Sequence, residues 1–214
     1  MATKPGGYFA ADGQRLPSVT TILSRYKESG GLIYWAWDLG RQGLDYRDVR
    51  DKAADSGTLA HQMIEQWAQG AQPSVEGPPD VVAKAEQAFG AFLEWAQQTH
   101  LQIIHSEVAL ISERHRFGGT LDAMLVNGKL SLGDWKTANA VYADNLMQLA
   151  AYGLLWEEAH PDQPITGGFH LMRFSKTDGD FEHRWFGDLN DAKQCFLLLR
   201  AAYDFDKKIK ARVK

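Results

Sequence analysis

The 214-residue chain has one cysteine, Cys195. A single thiol closes no internal disulfide, and it excludes an iron–sulfur cluster or a cysteine-rich zinc site. Cys195 opens the apolar run Cys195-Phe-Leu-Leu-Leu199, so it is expected to pack inside as a small hydrophobe. No apolar run approaches the roughly 20 residues that span a bilayer. The opening Met-Ala-Thr-Lys-Pro-Gly-Gly-Tyr has neither the pattern of a secretory signal nor that of an Arg-rich transit helix. The expected compartment is a reducing cytoplasm. Positive charge is also scarce, with 23 Lys and Arg against 27 Asp and Glu and a net charge of −4. Such a balance draws no polyanion to the chain as a whole. A polyanion track would depend on local cations: Arg41, Arg47, Arg50 and Lys52; Arg114 and Arg116; Arg173 and Lys176; and the basic stretch from Lys207 to Lys214, whose plainer reading is a solvated helix end. There is no internal repeat and no low-complexity segment.

What the chain has is a 44% hydrophobic composition rich in large rings, with seven Trp, seven Tyr and ten Phe. That is enough for a substantial core, and the length suits one domain over residues 1–214. About the first fifteen residues read as irregular. Leu16-Pro17-Ser18-Val19 reads as a helix start with Pro and Ser near the cap, and Gly30-Gly31 ends that helix. Apolar residues at helical spacing predict further helices over about 32–44, 46–68 and 80–98, with a Gly- and Pro-rich loop between the last two. The aromatics Tyr34, Trp35 and Trp37 read first as core packing, and alternatively as a cover for a site. The period then changes to two. Strands are predicted over 101–112, 119–126 and 130–136, with Asn127-Gly128 as a hairpin turn between the last two. A helix over about 143–158, strands near 165–174 and 181–186, and a helix from 188 to about 209 complete the chain. The order implies an α/β (α+β) fold: a mainly helical part over 1–99, then a sheet-containing part over 100–214, with a small central sheet flanked by helices.

The chemistry-bearing segment is Gly118-Gly119-Thr-Leu-Asp122, followed by Asp134-Trp135-Lys136. Residues i and i+2 of a strand share a face, so Asp134 and Lys136 point together. If Asp122 shares that face on the neighbouring strand, two carboxylates and an ammonium converge. Carboxylates are hard oxygen ligands suited to Mg²⁺ or Mn²⁺. With a nearby cation they meet the needs of phosphodiester hydrolysis, which are a metal to polarise the phosphoryl oxygen and a charge to offset the one that develops. An Asp-x-Lys triplet alone also marks many surface hairpins, but the apolar neighbours Leu121, Met124, Leu130 and Leu132 put this one at a core edge. Upstream, His61 and Glu65 stand one helical turn apart, and a histidine there is a candidate third ligand. Downstream, Gln148 and Tyr152 stand one turn apart on the helix after the Asp-x-Lys strand.

Taken in order, these motifs resemble the RecB-type branch of the PD-(D/E)xK nucleases, including mitochondrial genome-maintenance exonucleases. The resemblance runs through Ser18-Val19-Thr20, Gly57 to His61, Glu107 in Ser106-Glu107-Val108, Gly119 to Asp122, Asp134 to Lys136, and Gln148 to Tyr152, roughly residues 16 to 156. It implies a restriction-endonuclease-like core with a mixed sheet. It implies metal ligation by His61, Asp122, Asp134 and the Trp135 carbonyl, with Lys136 positioning the attacking water. Glu107 would support the metal shell or only pack at the sheet edge, and Gln148 and Tyr152 would hold the DNA backbone. Ser18, Thr20 and Arg116 are further DNA-binding candidates. The cofactor would be Mg²⁺ or Mn²⁺. The substrate would be DNA, as single strands or ends, cut by an exonuclease in a bacterial or phage-infected cell. A helicase or a recombination or replication protein would be a separate partner, and no membrane is involved. The single cysteine marks a member without an iron–sulfur cluster. The alternatives are a structure-selective endonuclease and a nucleic-acid-binding protein that keeps the fold without cutting.

Overall fold

The computed structural model describes residues 6–27, 30–100, 102–175 and 179–213, with backbone alone at 51–55. Lys176, Lys214 and the side chain of Lys52, three of the local cations named above, lie outside the described residues. The chain begins with a short antiparallel hairpin, β1 (Tyr8–Phe9) and β2 (Arg15–Leu16), where the sequence reading expected irregular chain. A turn closes it: Ala10 N–H donates to the Gln14 carbonyl at 3.0 Å and Gly13 N–H to that of Ala10 at 2.9 Å. Strands of two residues are too short to show a period, so the hairpin leaves no pattern to read. Helix α1 (Val19–Tyr26) follows as predicted. Ser18 is its N-cap, and its Oγ accepts from Thr21 N–H at 3.0 Å.

Helices α2 (Gly30–Arg41), α3 (Tyr46–Ala68) and α4 (Pro79–Thr99) complete the helical part. Helix α1 already ends at Tyr26, with Lys27 as its C-cap, and Gly30-Gly31, expected to break a helix, instead opens α2. Asp45 caps α3 by accepting from Arg47 N–H at 2.8 Å, and Pro79 occupies the first turn of α4, where its missing N–H costs nothing. Among the described residues no helix is long and apolar enough to cross a membrane.

The sheet has five strands in the order β3 (Gln102–Ser112), β4 (Phe117–Val126), β5 (Leu130–Thr137), β6 (Phe169–Phe174) and β7 (Phe181–Phe186). Neighbours are antiparallel except β5 and β6. A parallel pair needs a crossover, which α5 (Ala143–Ala159) supplies, and α6 (Asn190–Arg212) closes the chain. This mixed sheet flanked by helices is the α/β arrangement expected of a restriction-endonuclease-like core. On one face α1, α5 and α6 cover Phe117, Leu121, Leu149, Trp156 and Phe196; on the other α3 and α4 cover Ile64, Phe92, Trp135 and Phe174. Phe92 centres the second layer, edge-on to Trp67 and to Trp135 at 5.6 Å each.

The ladder between β4 and β5 is short. It runs from Val126–Leu130 to Ala123–Gly133 and stops. Beyond that point β4 stays with β3 and β5 stays with β6. Asp122 and Asp134 are the first residues past the last rung, so the sheet opens where its two acids stand.

Three expectations are corrected. Cys195 is exposed, because α6 turns Phe196, Leu199, Arg200 and Tyr203 inward and leaves position 195 on the outer side. Tyr34 and Trp37 are not core residues: α2 buries only Leu39, and those rings are 67% and 53% exposed. The sixth strand starts at Phe169 rather than near 165, because Thr166 and Gly167 N–H both turn to the Leu130 carbonyl, at 3.0 and 2.7 Å.

Gly57 sets how closely α3 lies on the sheet. A Cβ at this position would fall inside the Thr137 side chain at the end of β5. In an open helix Gly→Ala is worth up to about 1 kcal/mol. Here Gly57→Ala is expected to destabilise by about 1–3 kcal/mol through overpacking, read from urea unfolding. A stabilised variant would show that α3 shifts freely over β5.

Candidate active site

The opening between β4 and β5 is lined by α1, α3 and α5 and forms a cleft of about 360 Å³. Asp122 spans the parted strands: its Oδ2 accepts from Trp135 N–H at 2.9 Å, so a side-chain carboxylate replaces the missing rung. Its other oxygen is free of that bond. Asp134 projects between the strands with no solvent exposure, and neither of its oxygens accepts a well-formed hydrogen bond. Lys136, two residues on, pairs with Asp134 Oδ2, and its Nζ stands 3.4 Å from the Trp135 carbonyl. Trp135 itself packs into the opposite core, as the period of two requires.

Glycines make the space. A Cβ at Gly118 would meet the Tyr8 ring, and one at Gly119 would lie 2.7 Å from the Tyr152 ring. Both rings line the cleft. Gln148 Nε2 donates to the Tyr152 hydroxyl at 2.7 Å. From α3, His61 reaches the cleft with its Nδ1 at 3.5 Å from Glu65 Oε1 and its Nε2 buried without a hydrogen-bond partner.

The electrostatics follow from burial. Loss of water pushes Asp134 up to about 7; Lys136 opposes the shift and Asp122 adds to it. Burial would lower Lys136, but Asp134 and then Asp122 outweigh it, so its ammonium is held above its ordinary value. Tyr152 is raised well above its ordinary value by burial, then by the charges of Asp134 and Asp122. Its hydroxyl therefore keeps its proton at neutral pH.

The structure brings together Ser18, Thr20, His61, Asp122, Trp135, Lys136, Gln148 and Tyr152 around one cleft, with Asp134 sealed behind Lys136. Glu107 lies opposite Asp122 by the register of β3 on β4 and takes a left-handed φ of 53°. Its carboxylate, that of Glu65 and a His61 ring nitrogen come within 4.8 Å of one another. Among the described residues this is the one group of three His, Cys, Asp or Glu side chains so close; Asp122 and Asp134 are not in it. His61 thus belongs to two sets, one toward Glu65 and Glu107 and one lining the cleft with Asp122. Arg116 lines a neighbouring cavity instead of this cleft. Of the other local cations, Arg47 is paired with Asp45 at 3.1 Å and Arg173 with Glu182 at 2.7 Å. Sequence reasoning missed Tyr8, whose hydroxyl is 2.8 Å from Thr120 Oγ1, for want of any period around it. It saw Glu65 only as a neighbour of His61.

The residues fit a divalent cation. A fully buried carboxylate beside a second acid, with Lys136 as its one cationic partner, is costly to ionise without further counter-charge, and a buried imidazole nitrogen with no partner is equally unusual. With Nδ1 facing Glu65, Nε2 is the nitrogen left to ligate, the usual carboxylate–histidine–metal relay. The sequence resemblance would put the ion on His61, Asp122, Asp134 and the Trp135 carbonyl, whereas the trio whose ligand atoms already lie within 4.8 Å among the described residues is His61, Glu65 and Glu107.

No family model matches the chain, and no curated protein matches it. Solved structures give fold-level likenesses of low score. A candidate exonuclease from Eubacterium rectale is 10% identical with a TM-score of 0.43, covering 69% of this chain and 68% of that one. The alkaline exonuclease LHK-Exo from Laribacter hongkongensis is 13% identical with a TM-score of 0.33, covering 76% and 92%. The protein SSO0001 is 15% identical with a TM-score of 0.32, and the match spans 54% of this chain and 57% of that one. Scores at this level carry no functional argument, which rests on the cleft itself.

Asp134 links the cleft to stability. Its folded value of about 7 lies above the ordinary unfolded value of about 3.9. The folded state therefore binds the extra proton between those values, and the ionised carboxylate opposes folding increasingly up to pH 7, by on the order of 4 kcal/mol when fully ionised. In metal-free buffer Asp134→Asn is expected to melt higher than the unsubstituted protein at pH 8, with a smaller gap at pH 5. Mg²⁺ or Mn²⁺ should raise the melting temperature of the unsubstituted protein alone. Equal gaps at both pH values would refute a strained, ionisable Asp134.

Proposed function

We propose that the chain is a divalent-metal-dependent DNA nuclease that hydrolyses phosphodiester bonds. One observation carries this reading: a fully buried Asp134, ion-paired with Lys136 beside Asp122, on a cleft that also holds His61, Gln148 and Tyr152. Mg²⁺ or Mn²⁺ bound there would polarise the phosphoryl oxygen and lower the pKa of a bound water. Lys136 keeps its proton, so it acts as an orienting donor to the attacking water and offsets charge on the phosphoryl oxygens; it is not the base. The protonated Tyr152 hydroxyl and the Gln148 amide are neutral donors for a non-bridging oxygen of the strand. The hydroxyls of Ser18 and Thr20 lie at the N-terminus of α1, where the helix dipole favours an anion. The mixed ligand set, one imidazole nitrogen among oxygens, favours activity with Mn²⁺ as well as Mg²⁺.

The finer reading is an exonuclease that prefers single strands. The outward rings of Tyr34 and Trp37 on α2 suit base stacking, which every unpaired base offers. In a cleavage assay on labelled oligonucleotides, Asp134→Ala and Lys136→Ala are each expected to lower the rate by at least about 10²-fold, with intact circular dichroism. EDTA should abolish cleavage, and circular single-stranded DNA should stay uncut. Full activity in either folded variant would sink the proposal. Oligonucleotide binding without cleavage under any divalent metal would point to a non-cutting binder.

A further inference from the structure

A second cavity, of about 500 Å³, abuts the first, and Tyr8 and Ser18 are walls of both. Four cations line it from three separate stretches of chain: Arg15 on β2, Arg116 before β4, and Arg200 and Lys207 on α6, against the single acid Asp204. In a chain of net charge −4 this is a local reversal of sign.

The four cations are not equivalent. Arg116 is committed: its guanidinium bonds Asp12 at 2.7 Å, Gln14 at 2.6 Å and Glu113 at 3.0 Å, tying the β1–β2 hairpin to the turn before β4. Arg200 is only 7% exposed. Its Nε donates to the Arg116 carbonyl at 3.0 Å, while its Nη1 stands 2.6 Å from Asp204 Oδ1 without a well-formed hydrogen bond. Arg200 thus braces the cavity wall, with Asp204 beside its guanidinium. Arg15 and Lys207 are exposed and make no ion pair among the described residues. Carboxylates thus hold Arg116 and engage Arg200, and the two exposed cations, Arg15 and Lys207, are left for a ligand.

We propose that this cavity is a phosphate subsite for the nucleic-acid strand, seating a backbone phosphate while another phosphate of the same strand lies in the catalytic cleft. The anion seat follows from the cations alone; that its anion belongs to a strand rests on the nuclease reading. The shared wall of Tyr8 and Ser18 is what makes one strand able to occupy both. The subsite places the strand without touching the reacting atoms, so its loss changes binding and leaves the chemical step intact.

The test is fluorescence anisotropy of a labelled single-stranded oligonucleotide in EDTA, over a salt series, with the full chain. Arg15→Gln/Lys207→Gln should weaken binding about tenfold at low salt and reduce the slope of log affinity on log salt by about 1.4, the share of two phosphate contacts on a single strand. Lys208→Gln/Arg212→Gln, on the same helix and with the same loss of charge, should change neither by as much. Inorganic phosphate should compete for the unsubstituted protein and lose that effect in the Arg15/Lys207 variant. Equal behaviour of the two double variants overturns the subsite, as does absence of binding by the unsubstituted protein. Cleavage with Mn²⁺ is scored in parallel. Cleavage with no binding defect in the Arg15/Lys207 variant removes the subsite and leaves the nuclease reading standing. A binding defect without any cleavage upholds the subsite and removes the nuclease reading.

Discussion

A carboxylate shut away from water governs the architecture of this protein. Asp134 is fully buried, and a charge in that position survives only if it is compensated. Lys136 supplies one partner from the same strand face. Asp122 stands close enough to raise the cost of ionisation. Two acids and one ammonium leave an excess of negative charge around a buried carboxylate, which a divalent cation would balance on the proposed nuclease reading.

The rest of the molecule arranges those charges. The β4–β5 ladder ends at Ala123–Gly133, and Asp122 takes over the next rung through the Trp135 N–H. Strand β5 leaves β4 for the parallel neighbour β6, which α5 makes possible and which also delivers Gln148 and Tyr152. Gly57 lets α3 press on Thr137, close enough for His61, one helical turn later, to face the same opening. On the far side of the sheet the ring cluster around Phe92 anchors Trp135, fixing the strand segment between Asp134 and Lys136.

The strand-borne half of the site was legible because its signals are local. Period-two alternation put Asp134 and Lys136 on one face, and Asn127-Gly128, with Gly128 at a φ of 69°, fixed the hairpin that brings Asp122 opposite. One-turn spacing likewise paired Gln148 with Tyr152. What stayed hidden depends on distant chain segments meeting. Tyr8 comes from a hairpin of two-residue strands, and the proposed phosphate seat brings Arg15 on β2 together with Lys207 on α6, 192 positions apart. The exposure of Cys195 went unread because an apolar run in a helix shares its residues between two faces, and only packing decides which face is inner. Glu107 sits opposite Asp122 in register, but its left-handed backbone, which turns its carboxylate toward His61 and Glu65, is a feature no spacing announces.

Two metal arrangements compete around His61: one with Asp122 and Asp134 in the opened sheet, the other with Glu65 and Glu107 beside it. Diffraction from crystals soaked in Mn²⁺, with the ion located by its anomalous signal, separates them. The account predicts an ion touching Asp134, Asp122, His61 Nε2 and the Trp135 carbonyl. An ion held by His61, Glu65 and Glu107 alone, with Asp134 still unligated, would contradict it.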